Sequence, residues 1–255
     1  MSRFASYPSL RDRVVFVSGG GSGIGASIVE HFAAEGAKVG FVDVDEAASK
    51  ALGAKIAAAG HPAPMFAKCD VRDIAAYQAA IAEMAGRLGP FTVLINNAAR
   101  DDRHSLEEVT PAYWDERIAV NLRHQFFAIQ TVAPGMKKAG GGSIVNFSSV
   151  SYHTMTANLA VYQAAKAAVI GMTRGLARDL GPDKIRLNAI TPGWIMAQRQ
   201  IDLWLTPQAE AGLMEAQCLK EKLYPPDIAR MALWLAAADS RLVTAQNFVV
   251  DGGRM

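Results

Sequence analysis

Val14-Val15-Phe16-Val17-Ser18-Gly19-Gly20-Gly21-Ser22-Gly23-Ile24-Gly25-Ala26-Ser27-Ile28-Val29-Glu30-His31-Phe32 is the stretch that decides the architecture. Its short apolar run reads as a parallel strand buried on both faces. Ile24, Ile28, Val29 and Phe32 then recur at helical spacing. Between strand and helix, Gly19, Gly21, Ser22, Gly23, Ile24 and Gly25 form a turn that brings backbone N–H groups and a helix N-terminus up to a pyrophosphate. A glycine run by itself is often a plain loop. Here a strand precedes it, a helix follows, and a second strand from Lys38 to Val42 leads to Asp43. That carboxylate lies 18 residues after Gly25, close to the roughly 20 expected of an acid that binds the adenosine ribose.

Asp43 also bears on the cofactor. A carboxylate accepts hydrogen bonds from a free ribose 2′-hydroxyl and repels a 2′-phosphate. No Arg or Lys sits in the glycine turn or just after Asp43 to neutralise that phosphate. NAD is therefore expected rather than NADP.

Strands are expected near 13–17, 38–43, 64–68, 92–96, 143–148, 185–190 and 247–250. Helices are expected near 23–35, 45–59, 73–88, 111–138, 157–180 and 226–238. The alternation predicts right-handed βαβ crossovers and an α/β fold of doubly wound, Rossmann type. One domain is expected over residues 1–255, with a parallel seven-stranded sheet and helices on both faces. Residues 194–221 break the rhythm where a lid over a substrate site would be inserted.

At 255 residues the chain fits one such domain. A formal charge of +2 and the lack of a basic cluster give no basis for a nucleic-acid or membrane-surface partner. Cys69 and Cys218 lack metal-type spacing and a disulfide pattern, which points to a reducing compartment. No apolar secretory segment opens the chain, and residues 139–165, though uncharged, are rich in Gly, Ser, Thr and Asn. A cytoplasmic protein is expected. His31, His61, His104 and His124 show no metal-ligand spacing, so no metal is assigned.

Tyr162 and Lys166 stand four residues apart on one predicted helix, with Ser149 thirteen positions upstream of Tyr162. Residues at i and i+4 share a helix face. A phenol with pKa near 10 is a poor base at neutral pH, and an adjacent ammonium favours the tyrosinate. Any single Tyr-x-x-x-Lys can be a surface accident. This one accompanies a glycine turn, Asn96-Asn97-Ala98-Ala99, Ser149, Pro192-Gly193 and Val250-Asp251-Gly252-Gly253, all in order.

With those motifs, the chain resembles the short-chain dehydrogenase/reductase family over roughly residues 11 to 253. The resemblance implies that Ser149 orients the substrate oxygen and Tyr162 is the acid/base. Lys166 would lower the Tyr162 pKa and bind the nicotinamide ribose, and Asn121 would complete a water-linked relay with it. Asp70 and Val71 would flank the adenine, Asn97 and Ala98 its ribose. Ile195, after Pro192-Gly193, would meet the carboxamide. The chain departs from the family pattern at Ser18, Ala99 and Ala197, where Thr, Gly and Thr are usual. The family commonly forms tetramers, and the helix from Ala164 to Met172 is small and apolar on more than one face. A homotetramer is expected.

A narrower resemblance concerns the substrate. Asp101-Asp102-Arg103-His104, Tyr113-Trp114-Asp115-Glu116, Asn121-Leu122-Arg123-His124 and Ala216-Gln217-Cys218-Leu219 are similar to segments of the bacterial D-xylose and D-galactose 1-dehydrogenases. These oxidise an aldose at C1 to the lactone. Ser151-Tyr152-His153, Trp194-Ile195-Met196-Ala197 and the Gly252-Gly253-Arg254 tail depart from their pattern. His153, Trp194 and Arg199 are the candidate substrate residues. The expectation is a small-molecule substrate, a polyol and foremost an aldose oxidised at C1. Oxidation or reduction of another secondary alcohol, and a nucleotide-binding protein without turnover, are the other readings. The intact Ser149, Tyr162, Lys166 and Asn121 set argues against the last.

Overall fold

The computed structural model describes residues 4–255. Residues 1–3 of the expected domain lie outside the described residues. Seven strands, β1 (Val14–Ser18), β2 (Lys38–Asp43), β3 (Met65–Lys68), β4 (Val93–Asn96), β5 (Gly142–Phe147), β6 (Ile185–Pro192) and β7 (Asn247–Val250), pair in parallel. They form one sheet in the order β3-β2-β1-β4-β5-β6-β7. The order reverses between β1 and β4, which opens a crevice at the carboxyl ends of those strands.

The apolar run in β1 is explained by the two layers around it. Val15 and Val17 pack in a core with Ile28, Val29 and Phe32 of α1 (Gly23–Ala34) and Ile228 and Leu233 of α9 (Pro225–Ala236). Phe16, pointing the other way, packs with Tyr77, Ile81 and Met84 of α3 (Ile74–Leu88) and with Ala128 and Ile129 of α5 (His124–Lys138). Successive strand side chains alternate faces, so a strand covered on both sides must be apolar throughout.

The remaining helices are α2 (Glu46–Ala58), α4 (Pro111–Ile118), α6 (Ala160–Leu180), α7 (Gln198–Trp204) and α8 (Pro207–Ala216). Asp45, Asp73, Thr110 and Thr206 cap α2, α3, α4 and α8 by accepting from backbone N–H groups of their first turns. The single helix expected over 111–138 is divided. A π-helical turn at Ala119–Arg123 separates α4 from α5, a local widening that re-aims side chains. The segment 194–221 contains α7 and α8, and it is joined to the body by a parallel bridge between Ile195 and Leu223. Among the described residues no helix is long and apolar enough to cross a membrane.

Candidate active site

A cleft of about 850 Å³ runs along the carboxyl ends of the central strands, within the range of ligand pockets. Its floor begins at the glycine turn. A Cβ on Gly25 would lie 1.8 Å from the Gly19 carbonyl oxygen, so this position has no room for a side chain. Gly19, at φ +66°, presses against Ala98, whose Cα would be 2.8 Å from an added Cβ. Ser22 is the N-cap residue of α1, yet its side chain makes no cap bond. The first N–H groups of that 12-residue helix therefore face the cleft without a side-chain acceptor, a donor set that suits a dinucleotide pyrophosphate.

Asp43 ends β2 beside this turn. Its Oδ2 accepts from Gly21 N–H at 2.8 Å and its Oδ1 from Asp45 N–H at 3.0 Å. Asp70 follows β3, with Arg72 hydrogen-bonded to it at 2.5–3.0 Å, and that bond holds its carboxyl below the usual range. Val71 is buried beside it. At the end of β4 the Asn97 amide donates to the carbonyls of Ser18 and Gly19 at 3.2 and 2.9 Å. The Ser18 hydroxyl accepts from the N–H groups of Asn97 and Ala98 at 3.1 and 3.2 Å. Serine keeps the one group that threonine would bring to this strap. Ala99 is absent from the residues with left-handed backbone, so glycine is not required there.

Ser149, Tyr162 and Lys166 meet in the same cleft. Ser149 follows β5, while Tyr162 and Lys166 lie one turn apart on α6. Lys166 is 1% exposed, and its ammonium donates to the Phe147 carbonyl at 2.8 Å. It sits 5.6 Å from the Tyr162 ring centroid. Burial raises the Tyr162 pKa well above its ordinary value, and the Asp101 charge adds to this. The Ser149 hydroxyl and the charges of Arg103 and Arg199 act in the opposite sense. Burial also pushes Lys166 down to about 7, against a smaller opposing effect of Asp101. Burial is the largest influence on both groups.

Asn121 lies in the π turn and is fully buried. Its amide donates to the Arg100 and Arg117 carbonyls, both at 3.0 Å, and its Oδ1 accepts from Arg100 N–H at 2.9 Å. The side chain is thus engaged by backbone and clamps the loop after β4. Pro192, Gly193 and Ile195 line the cleft after β6. A Cβ on Gly193 would meet Asp251 Cα at 2.7 Å, which explains a glycine there.

Trp194 and Arg199 also line the cleft, whereas His153 does not. His153 is exposed and stacks on Tyr152 with centroids 4.0 Å apart. The 3₁₀ turn Val150–Tyr152 carries Ser151 inward and leaves His153 outside. Two residues that the sequence did not assign to the site are close to it. His124 hydrogen-bonds the Ala98 carbonyl through Nε2 at 3.1 Å. Gln163 donates to the carbonyls of Ser151 and Thr156 at 2.9 and 2.7 Å and so ties that loop to α6. Position next to Tyr162 was the available signal for Gln163. None existed for His124, whose partner is 26 residues away. Among the described residues no cluster of metal-binding side chains occurs.

A family model described as enoyl-(acyl carrier protein) reductase matches residues 19–254. The chain is 51% identical to the probable galactose dehydrogenase GalD of Rhizobium meliloti (strain 1021), covering 98% of this chain and 97% of that protein. It is 47% identical to the D-xylose 1-dehydrogenase of Caulobacter vibrioides (strain NA1000 / CB15N), covering 98% of each. A solved 7α-hydroxysteroid dehydrogenase, complexed with NADH and 7-oxo glycochenodeoxycholic acid, superposes with a TM-score of 0.91 at 29% identity, covering 96% of each chain. The chain belongs to the short-chain dehydrogenase/reductase family.

Proposed function

We propose that this member of the family is an NAD-dependent dehydrogenase that oxidises a free aldose at C1 to the aldonolactone. The observation that carries the reading is the convergence of Ser149, Tyr162 and Lys166 in one cleft with the glycine turn and Asp43. The extensive identity to proteins named as galactose and D-xylose dehydrogenases supports the sugar.

A bound nicotinamide dinucleotide supplies the hydride acceptor. The N–H groups of the glycine turn and α1 would hold its pyrophosphate, and Asp43 with Asn97 and Ala98 its adenosine ribose. Asp70 and Val71 would flank the adenine. Pro192, Gly193, Ile195 and Lys166 would hold the nicotinamide end. Asp43 favours NAD over NADP, because a 2′-phosphate beside its carboxylate is repelled. Tyr162 removes the proton from the C1 hydroxyl as C1 gives up its hydride. Ser149 donates a hydrogen bond to the same oxygen, and the Lys166 ammonium favours the tyrosinate. Asn121 supports the site by fixing the loop after β4. Water is displaced from the cleft when α7 and α8 lie over it.

A polyol needs converging polar partners, since each unpaired buried group costs about 1–3 kcal/mol. Ser151 Oγ and Trp204 Nε1 are buried without a hydrogen-bond partner among the described residues, and both residues line the cleft. They supply two such groups, beside the Trp194 ring. The assembly we propose is a homotetramer, seated on the exposed face of α6 formed by Ala164, Ala167, Ala168 and Gly171, and the location is the cytoplasm.

The test is a panel of aldoses, polyols and sugar acids with NAD and with NADP, following nicotinamide reduction. Turnover with at least one free aldose, with a lactone as first product, is expected. If aldoses are inert while another secondary alcohol is oxidised efficiently, the sugar assignment fails and the dehydrogenase assignment stands.

A further inference from the structure

Arg103 and Arg254 both line the cleft, and both carry a charge without an acidic partner. The acids next to Arg103 are already taken. Asp101 pairs with Arg199, and Asp102 pairs with Arg117, with Arg199 Nη2 at 2.9 Å and with Arg100 Nη2 at 3.0 Å. Among the described residues neither Arg103 nor Arg254 forms an ion pair.

Both are nevertheless held in place. The Arg103 guanidinium lies over the Trp204 ring, 4.8 Å from its centroid, and Arg103 Nη1 is 3.5 Å from the Ala157 carbonyl oxygen. Arg254 belongs to the tail after β7. There the carbonyls of Gly252 and Gly253 accept from Leu219 and Cys218 N–H at 2.8 and 3.1 Å. The Asp251 carboxylate accepts from Gly253 and Met255 N–H at 2.8 and 2.9 Å, on either side of Arg254. The backbone is thus fastened around a half-buried arginine whose head makes no hydrogen bond among the described residues.

The unused groups at this part of the cleft are chiefly donors. Arginine has N–H donors and no acceptor, and so has an indole. Trp204 Nε1, in the ring beneath Arg103, is buried without a partner. A sugar hydroxyl both donates and accepts, whereas a carboxylate only accepts, and its two oxygens match the fork of an arginine. We propose that the aldose taken by this cleft carries a carboxylate, as a uronic acid does, and that Arg103 and Arg254 select it. The inference rests on the reading of the site as an aldose C1 dehydrogenase and names the class of aldose. Arg254 stands in one of the segments that depart from the pattern of the D-xylose and D-galactose dehydrogenases, and neither of those sugars is charged. The carboxylate takes no part in the chemistry. C1 gives a hydride to NAD and its hydroxyl proton to Tyr162, so the uronic acid leaves as the lactone of the corresponding aldaric acid.

The test compares kcat/KM for D-glucuronate and D-galacturonate with that for D-glucose and D-galactose, which differ from them at C6 alone, at saturating NAD. D-glucose 6-phosphate serves as an anion of another kind. A uronate should be preferred to its neutral counterpart by about tenfold or more, the size of a hydrogen bond to a charged group. Added salt should shrink the preference, because a partly exposed charge pair is screened. R254M and R103M, with melting temperatures as a check on folding, should each raise KM for the uronate more than KM for the neutral sugar, with kcat changed less. R254K and R103K, which keep the charge, should retain most of the preference. Equal or better use of the neutral sugars by the intact protein overturns the proposal, whatever the variants do. So does a stronger preference for D-glucose 6-phosphate, or an equal rise in KM for both sugars in R254M and R103M. Turnover of neutral aldoses alone leaves the aldose reading standing, while inertness of every sugar overturns that reading and the proposal together.

Discussion

Asp43 Oδ2 accepts a hydrogen bond from Gly21 N–H at 2.8 Å, so the acid at the end of β2 is fastened to the glycine turn it faces. Removing it should therefore weaken cofactor binding generally and relax the choice between cofactors. Asp43→Ala is expected to lower kcat/KM for NAD and to narrow its ratio to that for NADP. Comparable kcat/KM for the two cofactors before any substitution would end this assignment.

Gly25→Ala should damage the dinucleotide site selectively. The new Cβ would lie 1.8 Å from a backbone oxygen, which no rotamer can relieve. Overpacking strain of about 1–3 kcal/mol is expected, enough to weaken NADH binding roughly tenfold in a fluorescence titration. Gly53→Ala, inside α2 with nothing within 4 Å of its added Cβ, should be neutral or stabilising by about 0.5–1 kcal/mol. Equal effects at both positions would contradict the steric argument.

Tyr162→Phe keeps the ring and deletes the acid/base. Turnover should fall by about 10² to 10⁴-fold, while NAD binding, measured by calorimetry, should stay near its original strength. Lys166→Ala should weaken both binding and rate. Near-normal turnover in Tyr162→Phe would remove the basis of the mechanism.

Acid sensitivity should trace in part to His124. Burial, helped by the Lys166 charge, pushes its pKa down to about 3 from an ordinary 6.5. Below about pH 6.5 the unfolded chain takes up a proton that the folded chain refuses. Stability should then fall as pH drops from about 6.5 toward 3, at about 1.4 kcal/mol per pH unit from this group. Urea unfolding at pH 7 and pH 5 should show a smaller loss for His124→Gln, which retains a donor for the Ala98 carbonyl. Identical losses would exclude His124 as a source.

The proposed assembly makes a mass prediction. Light scattering at micromolar concentration should return about four times the 27.2 kDa chain, and a charged substitution at Ala168 should reduce it. A stable single-chain mass would remove the tetramer.

The sheet was legible because each strand carries its own signal. The runs at Val14–Val17 and Val93–Ile95 are apolar on both faces, and the glycines at 19, 23 and 25 stand between a strand and a helix. Helix 111–138 was less legible. Widening at Ala119–Arg123 depends on packing that Asn121, Arg100 and Arg117 create together across 21 residues, and no local propensity encodes it.

The sequence by itself determined the α/β architecture, the glycine turn with Asp43, and the pairing of Tyr162 with Lys166. These depend on periodicity, on steric freedom at glycine and on i,i+4 helix geometry, all of which act over a few residues. Tertiary structure alone decided that His153 faces outward while Ser151 faces the cleft, that His124 holds the Ala98 carbonyl, and that Arg199 is engaged by Asp101 across 98 residues. It also decided the balance at Tyr162. Burial is a property of the packed chain, and the charges that oppose or assist the phenol arrive from loops far apart in sequence.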